Sequence, residues 1–338
     1  MIKPLAERIA ETDPLKKIEL AGRTCYKSEE KITDDSAEKF VRGIINRKHH
    51  AMIEHQDFAF ELLCSPDTDG WEELANYIQC LNSPGFGDRA GALNYLHTTW
   101  IELQDEEGDV IGERVIVSGN VRALNECDGI FGSTPIMRTL YAKYPMLVYN
   151  EYFHEMYENG QHEWEGIEAK LINIDEIEDI TYEEILAHKY LTFRFTTDRG
   201  VTHEFVRMRP ASFAQESTRY VNYLEGLNIC CPSDWYDKDP EARFIYEQAW
   251  LAAQEAYAKL IQMGQSPQQA RAVLPQGTKA ELVVSANMNE WVHIFNLRYF
   301  GTAGAPHPDI REVVGQAYAI AMNDRTVVLL YNMMAAEC

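Results

Sequence analysis

The chain has 338 residues, of which 46% are hydrophobic, so it can bury the core of one large domain or of two small ones. Its 53 acidic and 31 basic residues give a formal net charge of −22, which argues against a nucleic-acid polymer as a partner because phosphate backbones bind basic surfaces. No apolar run reaches the length of a membrane span, and this argues against a membrane partner.

The first half of the chain contains alternating extended and helical patterns. A helix over 34–48 is indicated by apolar residues such as Val41 and Ile44, which fall on one helical face. The other predicted elements are, in chain order, a short strand and loop over 1–22, a turn over 23–28, a strand over 57–64, a helix over 71–82, a hairpin of strands over 92–103 and 110–119, and the start of a helix over 120–131.

The second half opens with a strongly acidic stretch. Residues 151–189 contain twelve acidic and two basic residues, and we interpret them as a solvated segment. The elements predicted after it are a strand, a turn and the start of a helix over 190–206, a long amphipathic helix over 240–263, the start of a helix over 266–274, a strand over 278–288, and helices over 289–300 and 309–334. No internal repeat or linker appears, so we expect one domain over 1–338.

The seven cysteines are too few and too scattered for a disulfide framework. None forms a C-x-x-C pair and no acidic or histidine cluster has metal-ligand spacing, so we expect reduced, mostly structural thiols and no metal. The first residues, MIKPLAERIAETDP, carry charges where the apolar segment of a signal peptide would lie. These observations predict a cytoplasmic location.

Positive charge is concentrated in two places of this acidic chain. Residues 199–219 have a local charge of +2, and residues 270–311 have a local charge of +1 with cations set among apolar residues. Buried or half-buried arginines need anionic partners, and small phosphorylated ligands supply them. We therefore expect a site for phosphorylated small molecules.

The densest functional pattern is residues 207–220, RMRPASFAQESTRY. It combines three arginines, two aliphatic hydroxyls in its C-terminal half, an amide and a carboxylate with small residues that let backbone N–H groups approach a ligand. Guanidinium groups bind phosphate bidentately, and each charge-assisted hydrogen bond contributes about 1.5–3 kcal/mol. The alternative interpretation of this composition is a solvated charged turn.

This segment resembles the signature of flavin-dependent thymidylate synthases, Arg-His-Arg-x-x-Ser-x-Asn-Glu-x-Ser-x-Arg-Tyr. The register is kept through Arg207, Ser212 and Ser217 to Tyr220. Three positions differ: Met208 replaces the histidine, Ala214 the asparagine and Gln215 the glutamate. Met208 removes a polar contact near the flavin, and Gln215 keeps hydrogen-bonding capacity without charge.

Other segments resemble the same family. ARAVLP (270–275) and SANMNEWVHIFNLR (285–298) match its C-terminal half, and HHAMIEHQDF (49–58) matches the segment before a strand. RTCYKS (23–28) and VSGNVRA (117–123) resemble longer members, with extra sequence at about 65–110 and 150–188. The resemblance implies one catalytic domain that carries these two insertions.

Residue roles follow from the resemblance position by position. Residues implied at FAD and folate are His55, Asp57, Arg207, Met208, Arg209, Gln215, Asn287, Asn289 and His293. Residues implied at the nucleotide are Glu204, Arg207, Gln215, Glu216, Ser217, Thr218, Arg219, Arg271 and Arg298. Among them, Arg271 is assigned to the phosphate, Arg298 to the pyrimidine ring, and Arg298 and Ser217 to catalysis.

The resemblance also implies a fold, an assembly and a reaction. The fold is α/β (α+β), with a mixed or antiparallel sheet packed by helices, and the assembly is a homotetramer with composite sites. The reaction converts dUMP to dTMP with FAD as cofactor, NADPH as reductant and methylenetetrahydrofolate as one-carbon donor. Two alternatives stay open: an enzyme that modifies another pyrimidine deoxynucleotide such as dCMP, and a catalytically silent flavin-binding homologue.

Overall fold

The computed structural model describes most of the chain. The described residues are 1–64, 68–82, 95–105, 107–108, 110–162, 164, 166–177, 181–224, 226–324 and 327–328. They form two compact units, of which the first comprises 1–38 with 191–338 and the second comprises 39–190. Each unit has its own sheet and core.

The eight strands of the described residues are β1 (Leu5–Arg8), β2 (Asp57–Cys64), β3 (Leu96–Gln104), β4 (Val110–Asn120), β5 (Ile167–Ile172), β6 (Tyr190–Asp198), β7 (Ser212–Gln215) and β8 (Lys279–Asn287). The helices are α1 (Pro14–Tyr26), α2 (Ser36–Asn46), α3 (Thr68–Asn82), α4 (Val121–Cys127), α5 (Pro135–Lys143), α6 (Glu151–Glu158), α7 (Tyr182–His188), α8 (Arg199–Phe205), α9 (Pro240–Gln262), α10 (Pro267–Ala270), α11 (Met288–Phe295) and α12 (Pro308–Ala321). These elements confirm the predicted α/β class, with antiparallel strand pairs packed by helices.

The first unit is built on a four-stranded sheet of order β1-β6-β8-β7. Strands β1 and β6 are antiparallel, as are β7 and β8, whose register pairs Ser212 with Ser285. Strand β8 reads KAELVVSAN, and all but one of its residues are buried, as expected for an interior strand. The edge strand β7 belongs to residues 207–220, the arginine-rich segment, and places the centre of this segment in the sheet.

Large aromatic side chains fix two helices of the first unit to this sheet. The ring centroids of Phe195 on β6 and Phe205 on α8 lie 4.5 Å apart, and those of Phe193 and Trp291 on α11 lie 4.9 Å apart. Trp291 also donates its indole N–H to the carbonyl of Leu191 at 3.0 Å. All four rings are fully buried, and aromatic pairs of this geometry add to the hydrophobic stabilisation. This packing positions the ends of α8 and α11 and therefore the segments that follow each helix.

The second unit contains an antiparallel sheet of order β3-β4-β2-β5. The predicted hairpin is confirmed as β3 and β4, and β2 has the predicted bounds. Within its core, Tyr77 and Thr134 donate hydroxyl hydrogen bonds of 2.9 and 2.7 Å to the carboxylate of Asp128. Burial raises the pKa of Asp128 to about 7 despite these bonds.

The structure corrects two sequence-based expectations. Residues 14–26 form a helix rather than a loop and turn: Asp13 caps its first turn and Pro14 occupies the first helical position, a start signal that the sequence carried. The acidic stretch 151–189 is not merely solvated, because it supplies β5 to the sheet and the buried side chains of Phe153 and Ile167.

Helix ends differ from the predicted ones in the second half of the chain. Helix α11 ends at Phe295 and is followed by a π-helical turn over Asn296–Phe300. Helix α10 is followed by a 3₁₀ turn over Arg271–Val273. Helix α12 ends at Ala321, and the end of the predicted 309–334 helix lies outside the described residues. No helix of the described residues is long and apolar enough to cross a membrane.

Candidate active site

The arginine-rich segment follows α8 and runs along the edge of the first unit's sheet. Asp198 caps the start of α8 by accepting a hydrogen bond of 2.8 Å from the backbone N–H of Val201, and the segment begins at Arg207, just after the helix ends at Phe205. A β-strand over Ser212–Gln215, which the sequence did not indicate, then pairs with β8. The solvated-turn interpretation is therefore wrong for the centre of the segment.

A buried ion pair anchors the segment beyond β7. Glu216 is 2% exposed and accepts hydrogen bonds from Lys279 Nζ at 2.9 Å and from the Tyr223 hydroxyl at 2.8 Å. Its second contact with β8 is the backbone N–H of Glu281 at 3.2 Å. Lys279 in turn contacts Glu281 at 2.5 Å, and Lys27 contacts the same carboxylate at 2.6 Å. Glu216, predicted at the nucleotide, thus has an interior structural role.

Three nucleotide-assigned residues lie directly after this anchor. The backbone N–H of Ser217 donates to the carbonyl of Cys25 at the end of α1, at 2.9 Å. The Ser217 hydroxyl accepts a hydrogen bond of 3.3 Å from the backbone N–H of Arg219, and Arg219 Nε donates to Gln268 at 3.0 Å. Thr218 is 5% exposed and its hydroxyl accepts a 3.4 Å hydrogen bond from Arg271 Nη1. The structure therefore brings Thr218 and Arg271 together, as predicted residues of one site.

A cavity of about 390 Å³ opens at this contact. It is lined by Thr218, Arg271, Arg199 and His203, together with Ala272, Leu274, Pro275 and Gln276. The sequence-based assignment missed Arg199 and His203, whose only signal was the local positive charge. Three basic side chains around one cavity of an acidic protein form a site that suits an anion.

Arg298 and Glu204 form a second contact between predicted residues. Arg298 Nη1 donates to Glu204 Oε2 at 3.0 Å, and both side chains are half-buried. Arg298 lies in the π-helical turn after α11, and such turns are frequent at functional sites. Its Nε is buried and has no hydrogen-bond acceptor among the described residues. The ion pair orients the guanidinium while leaving donor capacity for a ligand.

The flavin-assigned residues of the segment differ in exposure. Arg207 and Arg209 are exposed, and the Arg209 guanidinium lies 5.3 Å from the Phe213 ring centroid. Met208 is only 5% exposed, so its side chain belongs to the interior of the unit. Gln215 donates from Nε2 to the Thr202 hydroxyl at 2.8 Å. The two arginines present their charge at the surface, whereas Met208 contributes an apolar side chain to the interior.

The start of α11 holds the other flavin-assigned residues of the first unit. Asn287 is buried and its side-chain oxygen caps α11 by accepting from the backbone N–H of Glu290 at 3.0 Å. Asn289 and His293 are exposed. Glu290, which the sequence did not single out, is 5% exposed, and its Oε1 has no hydrogen-bond partner among the described residues. Burial raises the pKa of Glu290 to about 7, opposed by the nearby positive charge of Arg209.

His55 and Asp57 belong to the second unit. His55 ends a 3₁₀ turn and is completely buried there, whereas Asp57 begins β2 and is half-buried. The carbonyl of Asp57 accepts a hydrogen bond from the Gln56 side chain at 2.5 Å. Their assignment to the flavin and folate stays a prediction.

The cysteines of the described residues are all free thiols. Burial raises the pKa of Cys25 to about 11, and it also raises the pKa values of Cys230 and Cys231. Cys230 is buried, as expected for a small apolar side chain, and Cys231 is half-buried. A raised pKa keeps these thiols protonated at neutral pH and therefore poorly nucleophilic.

A family model described as thymidylate synthase complementing protein matches residues 8–67 and 136–324. These ranges are most of the chain and contain the 49–58, 207–220 and 270–298 segments. The chain belongs to this family. The match confirms the resemblance found in the sequence.

Two bacterial relatives, each named flavin-dependent thymidylate synthase, are similar to part of this family member. That of Geobacter sulfurreducens is 32% identical over 127 residues, which cover 37% of this chain and 54% of the relative. That of Mycolicibacterium vanbaalenii is 31% identical over 136 residues, which cover 36% and 54%. The chain thus spans about half the length of the curated relatives it matches.

Among solved structures, a UMP/dUMP methylase of Streptomyces cacaoi bound with 5-Br dUMP shares 22% sequence identity with the chain. The similarity covers 43% of this chain and 72% of that one, with a TM-score of 0.37. The family match omits residues 68–135, which overlap the first predicted insertion, and includes the second at 150–188. The single catalytic domain and its insertions stay predictions.

Removal of the buried lysine tests the anchor of this family segment. Lys279→Met leaves Glu216 as an uncompensated buried charge, and we expect it to lower the free energy of unfolding by about 3–5 kcal/mol. Urea denaturation measures the loss. The matched control is Lys259→Met, which breaks the exposed ion pair with Glu255 on α9 and should leave stability nearly unchanged. Equal effects of the two changes would contradict the anchoring role.

The raised pKa of Glu290 predicts a pH-dependent stability. Between about pH 4.3, where unfolded glutamate titrates, and pH 7, the folded protein holds the Glu290 proton more tightly than the unfolded chain. This group therefore makes stability fall as pH rises through that window, and the loss is complete above it. We expect Glu290→Gln to remove this fall, so that its melting temperature exceeds that of the parent more at pH 8 than at pH 4.5.

The exposed change Glu312→Gln on α12 is the matched control for this titration. Thermal unfolding of the three proteins across the pH range measures the effect. A constant difference between parent and Glu290→Gln at every pH would show that the carboxyl does not titrate in this window.

Proposed function

We propose that the protein converts dUMP to dTMP, with FAD as redox cofactor, NADPH as reductant and methylenetetrahydrofolate as one-carbon donor. One observation carries the proposal: Thr218 of the signature segment and Arg271 of a distant segment meet at a cavity lined with basic side chains. Small phosphorylated ligands match such a site. Membership of the thymidylate synthase complementing protein family and relatives named flavin-dependent thymidylate synthase support the same reaction.

The nucleotide phosphate is assigned to Arg271 and Thr218. The phosphate has nearly the same charge in the ground state and the transition state, so these contacts contribute mainly to binding. Arg219 lies next to them and is held by Gln268, and Ser217 is fixed by its backbone bond to α1. These residues place the nucleotide while taking no proton in the reaction.

Arg298 is assigned to the pyrimidine ring. Negative charge grows on the ring as its C5 becomes nucleophilic, and a guanidinium held beforehand in position stabilises that charge. The ion pair with Glu204 supplies the orientation, because it fixes one guanidinium nitrogen and costs no reorganisation during the reaction. The protonated thiols argue against a cysteine nucleophile in this chemistry.

The donor set of the first unit fits FAD. Arg207 and Arg209 present exposed guanidinium groups of the kind that bind a diphosphate, and His293 adds an exposed imidazole. The unsatisfied, buried Oε1 of Glu290 offers an acceptor close to Arg209. Bound FAD supplies hydride transfer, and these residues bind and orient it.

We assign the protein to a homotetramer in the cytoplasm. Helix α9 supports self-association, because Phe244 and Ile245 are 61% and 63% exposed and Leu251 is 47% exposed on the same helix. Light scattering with measurement of bound flavin tests this assembly. A monomer that retains flavin would contradict composite sites shared between subunits.

A product assay tests the reaction. The purified protein is supplied with FAD, NADPH, methylenetetrahydrofolate and one nucleotide at a time, and product mass is measured. Formation of dTMP from dUMP is the expected result. Product from dCMP but not from dUMP would replace the substrate assignment, and bound FAD without NADPH oxidation would indicate a silent homologue.

Two arginine variants separate binding from catalysis. We expect Arg271→Ala to weaken dUMP binding while turnover at saturation is largely kept. The reason is that the contact of Arg271 with the phosphate is equally strong in the ground state and in the transition state. We expect Arg298→Ala to lower turnover by about 100- to 1000-fold even at saturating dUMP, since a preorganised donor is lost. Steady-state kinetics with flavin content checked measures both effects.

Glu204→Gln is the control for Arg298, since it weakens the ion pair and keeps the guanidinium. Its loss of turnover should be smaller than that of Arg298→Ala. If Arg298→Ala changes only the Michaelis constant while Arg271→Ala abolishes turnover, the two roles are assigned wrongly.

A further inference from the structure

Arg199 lines the basic cavity, and its guanidinium forms no ion pair among the described residues. Its Nη1 is buried and makes no hydrogen bond there. Burial lowers the pKa of Arg199, which means that the folded protein stabilises this charge less than water does. A buried guanidinium N–H without an acceptor costs stability, so its retention calls for a ligand.

The carboxylate that favours the charged form of Arg199 is that of Glu216, and it is already engaged. Glu216 accepts hydrogen bonds from Lys279, from the Tyr223 hydroxyl and from the backbone N–H of Glu281. None of these bonds extends to Arg199. The electrostatic attraction therefore holds the arginine in its place while its buried N–H stays unsatisfied.

The backbone of Arg199 is fixed independently of any ligand. As the first residue of α8, it donates its N–H to the carbonyls of Gln276 and Thr278 at 3.0 and 3.1 Å. Gln276 and Arg271 belong to the same cavity, and the positive charge of Arg271 contributes to the lowered pKa of Arg199. Two guanidinium groups that repel each other across one cavity are stabilised together by a dianion.

We propose that Arg199 is a phosphate-binding residue, which together with Arg271 and Thr218 holds the phosphomonoester of the nucleotide. The inference rests on the proposed function for the identity of the nucleotide. A phosphomonoester carries up to two charges and three terminal oxygens near neutral pH, enough to accept from both arginines. In this role Arg199 contacts the phosphate and touches no reacting atom.

The substitution Arg199→Met tests this role because it keeps a long side chain and removes the charge. In the ligand-free protein we expect its melting temperature to equal or exceed that of the parent, since a half-buried charge with an unsatisfied N–H is removed. Calorimetric titration should show dUMP binding weakened about tenfold to a hundredfold. Binding of deoxyuridine, which lacks the phosphate, should be unchanged.

Arg311→Met at an exposed position of α12 is the matched control and should alter neither stability nor binding. A structural arginine gives the opposite pattern, with a lower melting temperature of Arg199→Met and equal loss of dUMP and deoxyuridine binding. That pattern, or unchanged dUMP affinity of a folded Arg199→Met, would overturn the inference.

Titration with inorganic pyrophosphate separates this inference from the proposed function. If the parent does not bind dUMP but binds pyrophosphate in an Arg199-dependent way, the anion site stands and the nucleotide assignment fails. If the parent and Arg199→Met bind dUMP with equal affinity and both methylate it, the proposed function stands and the role of Arg199 fails.

Discussion

The buried carboxylate of Glu216 is the interaction on which the candidate site depends. With Lys279, Tyr223 and the backbone of Glu281 as partners, it ties the signature segment to the interior strand β8. The residues from Ser217 to Arg219 follow this anchor directly in the chain and make further contacts of their own. A buried ion pair contributes little net stability compared with apolar packing, but it specifies one arrangement because any other leaves a charge uncompensated. The chain uses that property where binding groups must be held in register.

The basic groups of the site divide into satisfied and unsatisfied ones. Lys279 is buried and forms an ion pair with Glu216. Arg298 is half-buried and forms an ion pair with Glu204 through one of its guanidinium nitrogens. Arg199 Nη1 has no hydrogen-bond acceptor among the described residues, and Oε1 of Glu290 has no hydrogen-bond donor there. Such groups cost stability in the ligand-free protein, and natural proteins accept this cost mainly at functional sites. The unsatisfied groups therefore indicate where ligands bind, and the satisfied ones indicate what holds the site in shape.

Packing of the first unit connects these groups. Phe205 on α8 and Trp291 on α11 both pack on the aromatic side chains of β6, so the two helices are positioned by one cluster. The chain leaves α8 towards Arg207 and Arg209, and it leaves α11 towards Arg298. The last turn of α1 adds a third support, because the carbonyl of Cys25 accepts the backbone N–H of Ser217. Rigid elements thus place side chains that come from segments far apart in the chain.

The sequence by itself determined the family, the α/β class and most of the strands and long helices, because periodic burial and the spacing of signature residues are local properties. It predicted that Thr218 and Arg271 share a site, and the structure brings their side chains together. It missed the helix over 14–26 despite the Asp13-Pro14 start signal, and it took 151–189 for a solvated segment.

Only the tertiary structure decided which charges are interior and which face a ligand. Glu216 and Met208 proved to be buried, whereas Arg207 and Arg209 are exposed, although all four lie within ten positions of the same segment. Arg199 and Glu290 became visible only because each has a buried polar atom without a hydrogen-bond partner among the described residues. The physical reason is that the partner of a charge is set by residues distant in sequence, such as Lys279 for Glu216, and these meet only when the sheet is assembled.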